Sequence, residues 1–142
     1  YILGEGKEKQ NLINLTKEYK IEKSVIFKDY VNNSLIIFSI SKIYVCSSLY
    51  EGLPSSLIEA LSVKTPIIST NCLSGPNEIL ENGKFGYLFK IRDYKKLAYL
   101  MSYVIKNYSK AKKKIKKGKK TLYKYRVKNV ALKYLSELEQ FN

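Results

Sequence analysis

Short apolar runs alternate with amphipathic stretches along most of the chain. β-Branched, aromatic and leucine side chains predict strands at residues 1–3, 24–27, 43–46, 66–70 and 87–89. Helical spacing of apolar residues, with cap and proline signals, predicts helices at residues 7–20 and 34–41, from Pro54, from Gly75 and after Asp93. Strands that alternate with helices over short loops predict an α/β fold, in which a parallel sheet is flanked on both faces by helices.

Three predicted loops join the end of a strand to the start of a helix, at residues 4–7, 47–56 and 71–77. In open parallel sheets, ligands bind beyond the carboxyl ends of the strands, where such loops lie. Glycine and small polar residues let a ligand approach the backbone, and helix N-termini attract anions. The sequence therefore predicts a phosphorylated, nucleotide-like ligand. Gly4-x-Gly6 alone supports this weakly, because the third glycine of the dinucleotide fingerprint is missing.

The net charge of +14 is concentrated toward the C-terminus. Residues 1–105 hold 13 basic and 10 acidic side chains, a balance of +3, whereas residues 106–142 hold 13 basic and two acidic side chains, a balance of +11. Eight of the eleven residues from 110 to 120 are lysine. We therefore predict a core α/β domain over residues 1–105 and a lysine-rich helical segment over residues 106–142.

The basic segment has three interpretations. A run of 13 basic side chains without an acid, over residues 106–133, fits a solvated helix face, an anionic membrane surface or nucleic acid. The basic residues avoid the predicted ligand loops, and no aromatic motif of the RNA-binding type is present. We therefore expect no nucleic-acid partner. The two other interpretations, a solvated helix face and a contact with an anionic membrane surface, are both kept.

Composition excludes several classes of chemistry. The chain has no histidine, so no His-based triad, His-ligated metal or imidazole base is available within it. Two cysteines are too few for a thiolate-rich metal site and suit a reducing cytoplasm. No apolar run approaches the roughly 20 residues of a membrane-spanning helix. The start at Tyr1, without an initiator methionine or a signal region, leads us to expect a piece of a longer protein.

The loop before the third helix carries the most specific pattern. Glu51 lies in the loop, and Glu59 lies one turn inside the helix on its polar side. Two carboxylates that face one cavity can accept hydrogen bonds from the vicinal hydroxyls of a sugar. Taken singly, Glu51 is typical of a helix-capping acid and Glu59 of a solvated helix acid. Together with Gly52, which leaves the backbone amides open to an anion, they favour a binding site.

The run Glu51-Gly52-Leu53-Pro54, followed by Glu59-Ala60-Leu61, resembles the motif of the retaining, nucleotide-sugar-dependent group 1 glycosyltransferases, which have the GT-B fold. That motif has two glutamates separated by seven residues, as here. Supporting matches in the expected order are Leu3–Gly6, Val25–Phe27, Thr65–Thr70, Gly75–Leu80 and Asn82–Leu88. The resemblance covers residues 1–105 and implies half of a GT-B fold: a Rossmann-like nucleotide-sugar-binding domain that lacks its first strand.

The resemblance implies transfer of a hexosyl group from a nucleoside diphosphate sugar to an acceptor hydroxyl, with retention of the anomeric configuration. Glu51 is the implied catalytic residue, and it orients the donor sugar rather than attacking it. Glu59 is expected to accept hydrogen bonds from the ribose, and Phe27 to lie near the base. The implied donor-binding residues are Gly4, Gly6, Phe27, Gly52, Leu53, Pro54, Ser55, Ser56 and Glu59.

The same resemblance implies the partners and the setting. A nucleotide sugar such as a UDP-sugar is the expected substrate, with no metal and no other cofactor. The expected acceptor is a glycan or a lipid-linked sugar, as in cell-surface glycan or lipopolysaccharide biosynthesis. We expect a cytoplasmic protein, and the basic residues 106–133 extend this to a peripheral location at the inner face of the plasma membrane.

The chain departs from the family pattern at two positions and lacks two parts. Lys64 and Asp29 stand where glycine is usual. Lys64 falls in a helix-to-strand turn where glycine commonly supplies positive φ, so we expect either some strain or a different turn there. The sequence starts after the loop whose arginine and lysine neutralise the diphosphate, and it does not include the N-terminal domain. We therefore expect weak UDP binding and little turnover from this chain by itself.

Two other interpretations remain at the level of the sequence. The chain is also compatible with an inactive gene fragment, since its start is abrupt. It is also compatible with a basic, non-enzymatic α/β module that binds nucleic acid, in which case binding would depend on salt and not on a UDP-sugar.

Overall fold

The computed structural model describes residues 1–140, which form two compact units: residues 1–34, and the residues from 35 onward. The last two positions of the predicted basic segment lie outside the described residues. Each unit contains parallel strands and helices, so the α/β class predicted from the sequence is confirmed. The strands form two separate parallel ladders, β1-β2 and β3-β4-β5, whereas the sequence pattern predicted one sheet.

The smaller unit contains β1 (Ile2–Leu3), α1 (Lys9–Glu18), a 3-10 helix (Glu22–Ser24) and β2 (Phe27–Lys28). The strands are parallel, with Ile2 opposite Phe27. The amide of Gly4 extends the ladder, since it donates to the carbonyl of Lys28 at 2.9 Å. Gly4 has φ +114°, a conformation that suits glycine, so the chain turns away from the sheet at this point.

The strand predicted at residues 24–27 begins later than expected. Residues 22–24 form a 3-10 helix, and the ladder starts only at Phe27. The apolar side chains that predicted α1, at Leu12, Leu15 and Tyr19, are exposed. A sheet of two strands, each two residues long, offers little surface for a helix to cover.

The larger unit has β3 (Tyr44–Cys46), β4 (Ile67–Thr70) and β5 (Tyr87–Phe89), in the order β3-β4-β5 and all parallel. These strands lie within one residue of their predicted bounds. The helices are α2 (Ser34–Ile40), α3 (Ser55–Ser62), α4 (Pro76–Ile79), α5 (Tyr94–Lys106), α6 (Tyr108–Gly118) and α7 (Val127–Glu139). A 3-10 helix (Lys119–Tyr125) interrupts the continuous helix that the sequence predicted here.

The core of the larger unit lies on both faces of its sheet. Every residue of β4 is buried, and successive side chains point to opposite faces. Ile67 packs in a cluster with α3 and α4, whereas Ile68 packs in a second cluster with α5. The prediction of helices on both faces is therefore confirmed for this unit.

Helix α6, from the basic segment, contributes to both core clusters. Ile115 packs in the cluster that contains Ile67, and Ala111 packs in the cluster that contains Ile68. Both side chains are about 1% exposed. The division at residue 105 that the charge pattern indicates stays a prediction. Among residues 1–140, no helix is both long enough and apolar enough to cross a membrane.

Candidate functional site

The loop from β3 to α3 and the helix itself carry the residues of the predicted motif. Helix α3 begins at Ser55 after Pro54, whose backbone is extended. Leu57, Ala60 and Leu61 are buried, and they fix which side of the helix faces the core. Glu59 lies on the opposite side of α3 and is half-buried. The helix is therefore oriented with its first turn toward the loop and its acid away from the core.

Glu51 is held at both its side chain and its backbone. The Ser48 hydroxyl donates to Glu51 Oε1 at 2.7 Å, and Cys46 Sγ lies 3.8 Å from the same oxygen. The Ser74 hydroxyl donates to the Glu51 carbonyl oxygen at 2.6 Å. Ser48 is itself fixed, because the Thr70 hydroxyl donates to its carbonyl at 2.7 Å. The carboxylate thus has a defined position at the carboxyl end of β3.

A second loop, between β4 and α4, packs directly on the first. A Cβ at Gly75 would lie 2.3 Å from the Gly52 carbonyl oxygen and 2.6 Å from Pro54 Cδ. Gly75 also has φ +77°, which only glycine adopts readily. Pro76 follows at the start of α4, as the sequence predicted. We call Ser74 and Gly75 the brace of the Glu51–Pro54 loop.

The first turn of α3 has amides with no side-chain cap. Pro54 stands at the cap position, and its side chain has no acceptor for these amides. The Ser56 hydroxyl accepts a hydrogen bond from the Tyr44 hydroxyl at 2.8 Å. Burial raises the pKa of Tyr44 to about 12, and the neighbouring Cys46 and Glu51 add to this shift. Tyr44 therefore stays protonated at neutral pH and keeps donating to Ser56.

The site residues predicted in the smaller unit lie at the ends of its strands. Gly4 directly follows β1, and Phe27 is the first residue of β2. The Gly6 carbonyl accepts a hydrogen bond from the Lys9 amide at 3.1 Å, where α1 begins. Gly6 has no atom within 4 Å of a Cβ built on it. Asp29, one of the departures from the family pattern, forms an exposed ion pair with Lys9.

The turn at Lys64 keeps the geometry for which glycine is usual. Lys64 has φ +61°, so of the two expectations, strain or a different turn, the lysine takes the strained left-handed conformation. Its carbonyl accepts a hydrogen bond from Lys112 Nζ of α6 at 2.9 Å. The turn that positions β4 is therefore tied to the basic segment.

A cavity of about 670 Å³ opens beside the candidate loop. Its volume lies within the range of about 300–1,000 Å³ that is usual for ligand sites. The candidate loop, the brace and α4 line one part of it, with Gly52, Leu53, Ser74, Gly75 and Glu78. The C-terminal segment lines the rest, mostly with polar, charged and aromatic side chains: Tyr123, Lys124, Tyr125, Asn129, Val130, Lys133, Tyr134 and Glu137. The sequence pattern does not identify Tyr123 and Tyr134 as site residues. Their signal, exposed tyrosines next to lysines, is too common to be specific.

The sequence pattern also does not identify the residues that contact Glu51. Ser48 and Cys46 precede Glu51 closely, but Ser74 lies 23 residues further along the chain, and only folding brings it to the loop.

Within residues 1–140, no group of three or more histidine, cysteine, aspartate or glutamate side chains is placed to hold a metal ion.

The fold and this loop define a class: Rossmann-like parallel sheets flanked by helices, as in the GT-B glycosyltransferases. The sequence model of the family described as "Glycosyl transferases group 1" matches residues 1–121. The chain therefore belongs to the group 1 glycosyl transferase family.

Two curated relatives illustrate the similarity. An uncharacterized glycosyltransferase of Haemophilus influenzae is 34% identical over 106 residues, 75% of this chain and 30% of the relative. The Campylobacter jejuni N-acetylgalactosamine-N,N'-diacetylbacillosaminyl-diphospho-undecaprenol 4-alpha-N-acetylgalactosaminyltransferase is 29% identical over 137 residues, 94% of this chain and 38% of the relative. The chain spans only 20% to 38% of the length of the curated relatives that it matches.

A solved structure is similar over nearly the whole chain. A point mutant of TarM from S. aureus, in complex with Fondaparinux, alpha-GlcNAc-glycerol and UDP, superposes with a TM-score of 0.86 at 26% identity. The similarity covers 95% of this chain and 28% of that one. The chain thus corresponds in size to a part of a larger enzyme of this fold.

Proposed function

We propose that the chain is the donor-binding part of a retaining hexosyltransferase, which moves a hexosyl group from a nucleoside diphosphate sugar to an acceptor hydroxyl. The observation that carries the proposal is the braced loop: Glu51 and the uncapped first turn of α3 meet at the carboxyl end of β3. Membership of the group 1 family supports a transferase, and the complex of TarM with UDP supports a uridine nucleotide.

The first turn of α3 is proposed to bind the diphosphate. The amides of Ser55 and Ser56 point along the helix axis, and the helix dipole favours negative charge at this end. As the bond from the sugar to the diphosphate breaks, negative charge grows on the leaving phosphate. Fixed amides stabilise that charge more in this transition state than in the ground state, which lowers the barrier.

Glu51 is proposed to orient the donor sugar. Its Oε1 accepts from Ser48 at 2.7 Å, and we assign its second carboxylate oxygen to a sugar hydroxyl. A fixed carboxylate beside the sugar also favours the positive charge of an oxocarbenium-like transition state. Gly52, Leu53 and Pro54 then lie against the sugar and diphosphate, and the cavity beside Gly52 and Leu53 provides room.

Glu59 is proposed to accept hydrogen bonds from the ribose, from its half-buried position on the outer side of α3. The roles of Gly4, Gly6 and Phe27 in the smaller unit stay predictions. No cofactor besides the nucleotide-sugar substrate enters the proposed reaction.

The acceptor is proposed to be a glycan or lipid-linked sugar in cell-surface glycan or lipopolysaccharide biosynthesis. The support is the activity in the name of the Campylobacter jejuni relative, which acts on a diphospho-undecaprenol-linked sugar. We propose a cytoplasmic location, because both cysteines, Cys46 and Cys72, are free and buried, as in a protein of a reducing compartment.

Calorimetric titration of the 142-residue chain with UDP, GDP and ADP, and with the corresponding hexose conjugates, tests the donor site. Glu59→Ala should weaken nucleotide binding about tenfold, since a hydrogen bond to a charged group is lost. Glu51→Ala should leave the affinity for the free nucleotide unchanged and weaken only the sugar conjugate. Glu18→Ala, on α1, is the matched control and should change neither.

Two outcomes would count against the donor site. The first is no binding of any nucleotide at millimolar concentration, which would favour the inactive fragment. The second is equal affinity in wild type, Glu51→Ala and Glu59→Ala. Where product forms, its proton NMR spectrum distinguishes retention from inversion.

A further inference from the structure

The exposed side of α6 carries only polar residues, most of them lysine. Ala111, Ile115 and Gly118 recur at helical spacing and are buried, so they mark the inner side. At about 100° per residue, the opposite side carries Lys110, Lys113, Lys116 and Lys117, all exposed. We call these four residues the α6 lysine face.

The core fixes the direction in which this face points. A Cβ at Gly118 would lie 2.7 Å from the Phe85 side chain and 2.9 Å from Leu61 Cδ1, so the helix packs too closely there for any other residue. Ile115 is about 1% exposed within the core. Lys112 Nζ adds a hydrogen bond to the Lys64 carbonyl at 2.9 Å. The helix therefore cannot rotate, and its lysines form a preformed surface rather than a flexible tail.

The positive charge of this face is not balanced by the protein. Within residues 1–140, none of the four lysines takes part in an ion pair. Like charges three or four residues apart on a helix repel each other. The neighbouring Lys114 shows the effect, since burial and then the charge of Lys110 lower its pKa. An anionic partner would relieve the repulsion among these lysines, so binding of such a partner is favourable.

We propose that the α6 lysine face docks the protein on a lipid bilayer that contains anionic phospholipid. Charge complementarity is the main argument, because each lysine near an anionic leaflet strengthens binding about fivefold. Lysine is a compact point charge and lacks the planar fork with which arginine reads bases, so this face is not built for base recognition. Helix α5, which packs on α6, also exposes Tyr94, Met101 and Ile105, and a bilayer interface accepts such side chains.

The test is co-sedimentation of the chain with vesicles of phosphatidylcholine, with and without phosphatidylglycerol. The wild type should bind the mixed vesicles and not the neutral ones, and binding should weaken as salt is added. Lys113→Gln, Lys116→Gln and Lys117→Gln combined should lower the affinity about 100-fold. The three side chains are exposed and their charges repel each other, so unfolding by urea should show no loss of stability.

The matched control removes three exposed lysines elsewhere. Lys17→Gln, Lys23→Gln and Lys42→Gln combined change the net charge equally and should keep most of the binding. Equal losses in the two triple variants would overturn the proposal, because net charge alone would then explain binding. Binding to neutral vesicles, or tighter binding to duplex DNA than to the mixed vesicles, would also overturn it. Nucleotide titration should be unaffected by either variant, so failure here is distinct from failure of the donor site.

Discussion

The loops that follow β1 and β3 have the same place in a parallel ladder but are held in different ways. After β1, a Cβ on Gly4 or Gly6 would meet no atom within 4 Å. After β3, the Glu51–Pro54 loop receives hydrogen bonds from Ser48 and Ser74, and Gly75 packs against it. The first loop is constrained by its own backbone, whereas the second is constrained by a neighbouring loop.

This difference shows how a fold prepares a site. A loop that is fixed before the ligand arrives loses little conformational entropy on binding, and its groups already point where charge will develop. The brace fixes the loop around Glu51 in advance, although Ser74 lies 23 residues further along the chain. A carboxylate in an unbraced loop would have to be ordered by the ligand itself, at a cost in affinity.

Gly75→Ala should have the largest effect and breaks the brace directly. The new Cβ would meet backbone and proline atoms that cannot move aside easily, and φ is positive. We expect the free energy of unfolding to fall by about 2 to 4 kcal/mol. Urea denaturation followed by circular dichroism measures it. Gly52→Ala, whose Cβ meets nothing within 4 Å, is the control. An equal loss of unfolding free energy in both variants would contradict the role of Gly75 in the brace.

Tyr44→Phe should change the pH dependence of stability. Unfolded, the phenol releases its proton near pH 10, its ordinary pKa, but the folded protein keeps it until about pH 12. The contribution of this group to the free energy of unfolding is fully present below pH 10 and is lost as pH rises toward 12. Between about pH 8 and pH 11, the wild type should lose about 1.4 kcal/mol more than Tyr44→Phe. Parallel pH profiles for the two proteins would contradict the burial of the Tyr44 hydroxyl.

Ser74→Ala should have a smaller effect and sharpens the comparison. It removes the hydrogen bond to the Glu51 carbonyl, which is worth about 1 kcal/mol. Because the loop loses its fixed position, the affinity for a sugar nucleotide should fall about fivefold, as measured by calorimetry. Ser136→Ala, whose hydroxyl donates to the Lys133 carbonyl within α7, should leave that affinity unchanged. Equal affinities in wild type and Ser74→Ala would show that the serine does not position the loop.

Gly6→Ala should have the smallest effect, within about 0.5 kcal/mol in urea denaturation. A Cβ at this position meets open space, and the backbone is not in the left-handed region. A loss comparable to that of Gly75→Ala would show that the loop after β1 is constrained after all, and the contrast between the two loops would disappear.

Most of the strands and helices can be predicted from residue types close together in the sequence. The strands at residues 43–46, 66–70 and 87–89 and the proline at the start of α4 follow from residue types within a few positions. The sequence marks the turn at Lys64 as one where glycine is usual, but it leaves open whether the lysine takes positive φ, as it does, or the turn changes. The 3-10 helix at Glu22–Ser24 and the division after residue 34 are not, since neither has a distinct local pattern.

The motif residues and their surroundings are predictable to different degrees. Glu51 and Glu59 stand out because carboxylates at that spacing flank a loop-to-helix junction. The roles of Ser74 and Gly75 depend on contacts between loops far apart in sequence. The α6 lysine face depends on which side of the helix the core buries, and the charge count alone does not show this.

The central claim is that the first turn of α3 and the Glu51–Pro54 loop bind the diphosphate and sugar of the donor. Amide NMR spectra of the ¹⁵N-labelled chain, recorded during titration with UDP-hexose, test it residue by residue. We predict the largest saturable shifts at the amides of Gly52, Leu53, Ser55 and Ser56, with smaller ones for inorganic pyrophosphate. Saturable shifts confined to α6, with none in that loop, would contradict the claim and show that the nucleotide binds only as an anion to lysines.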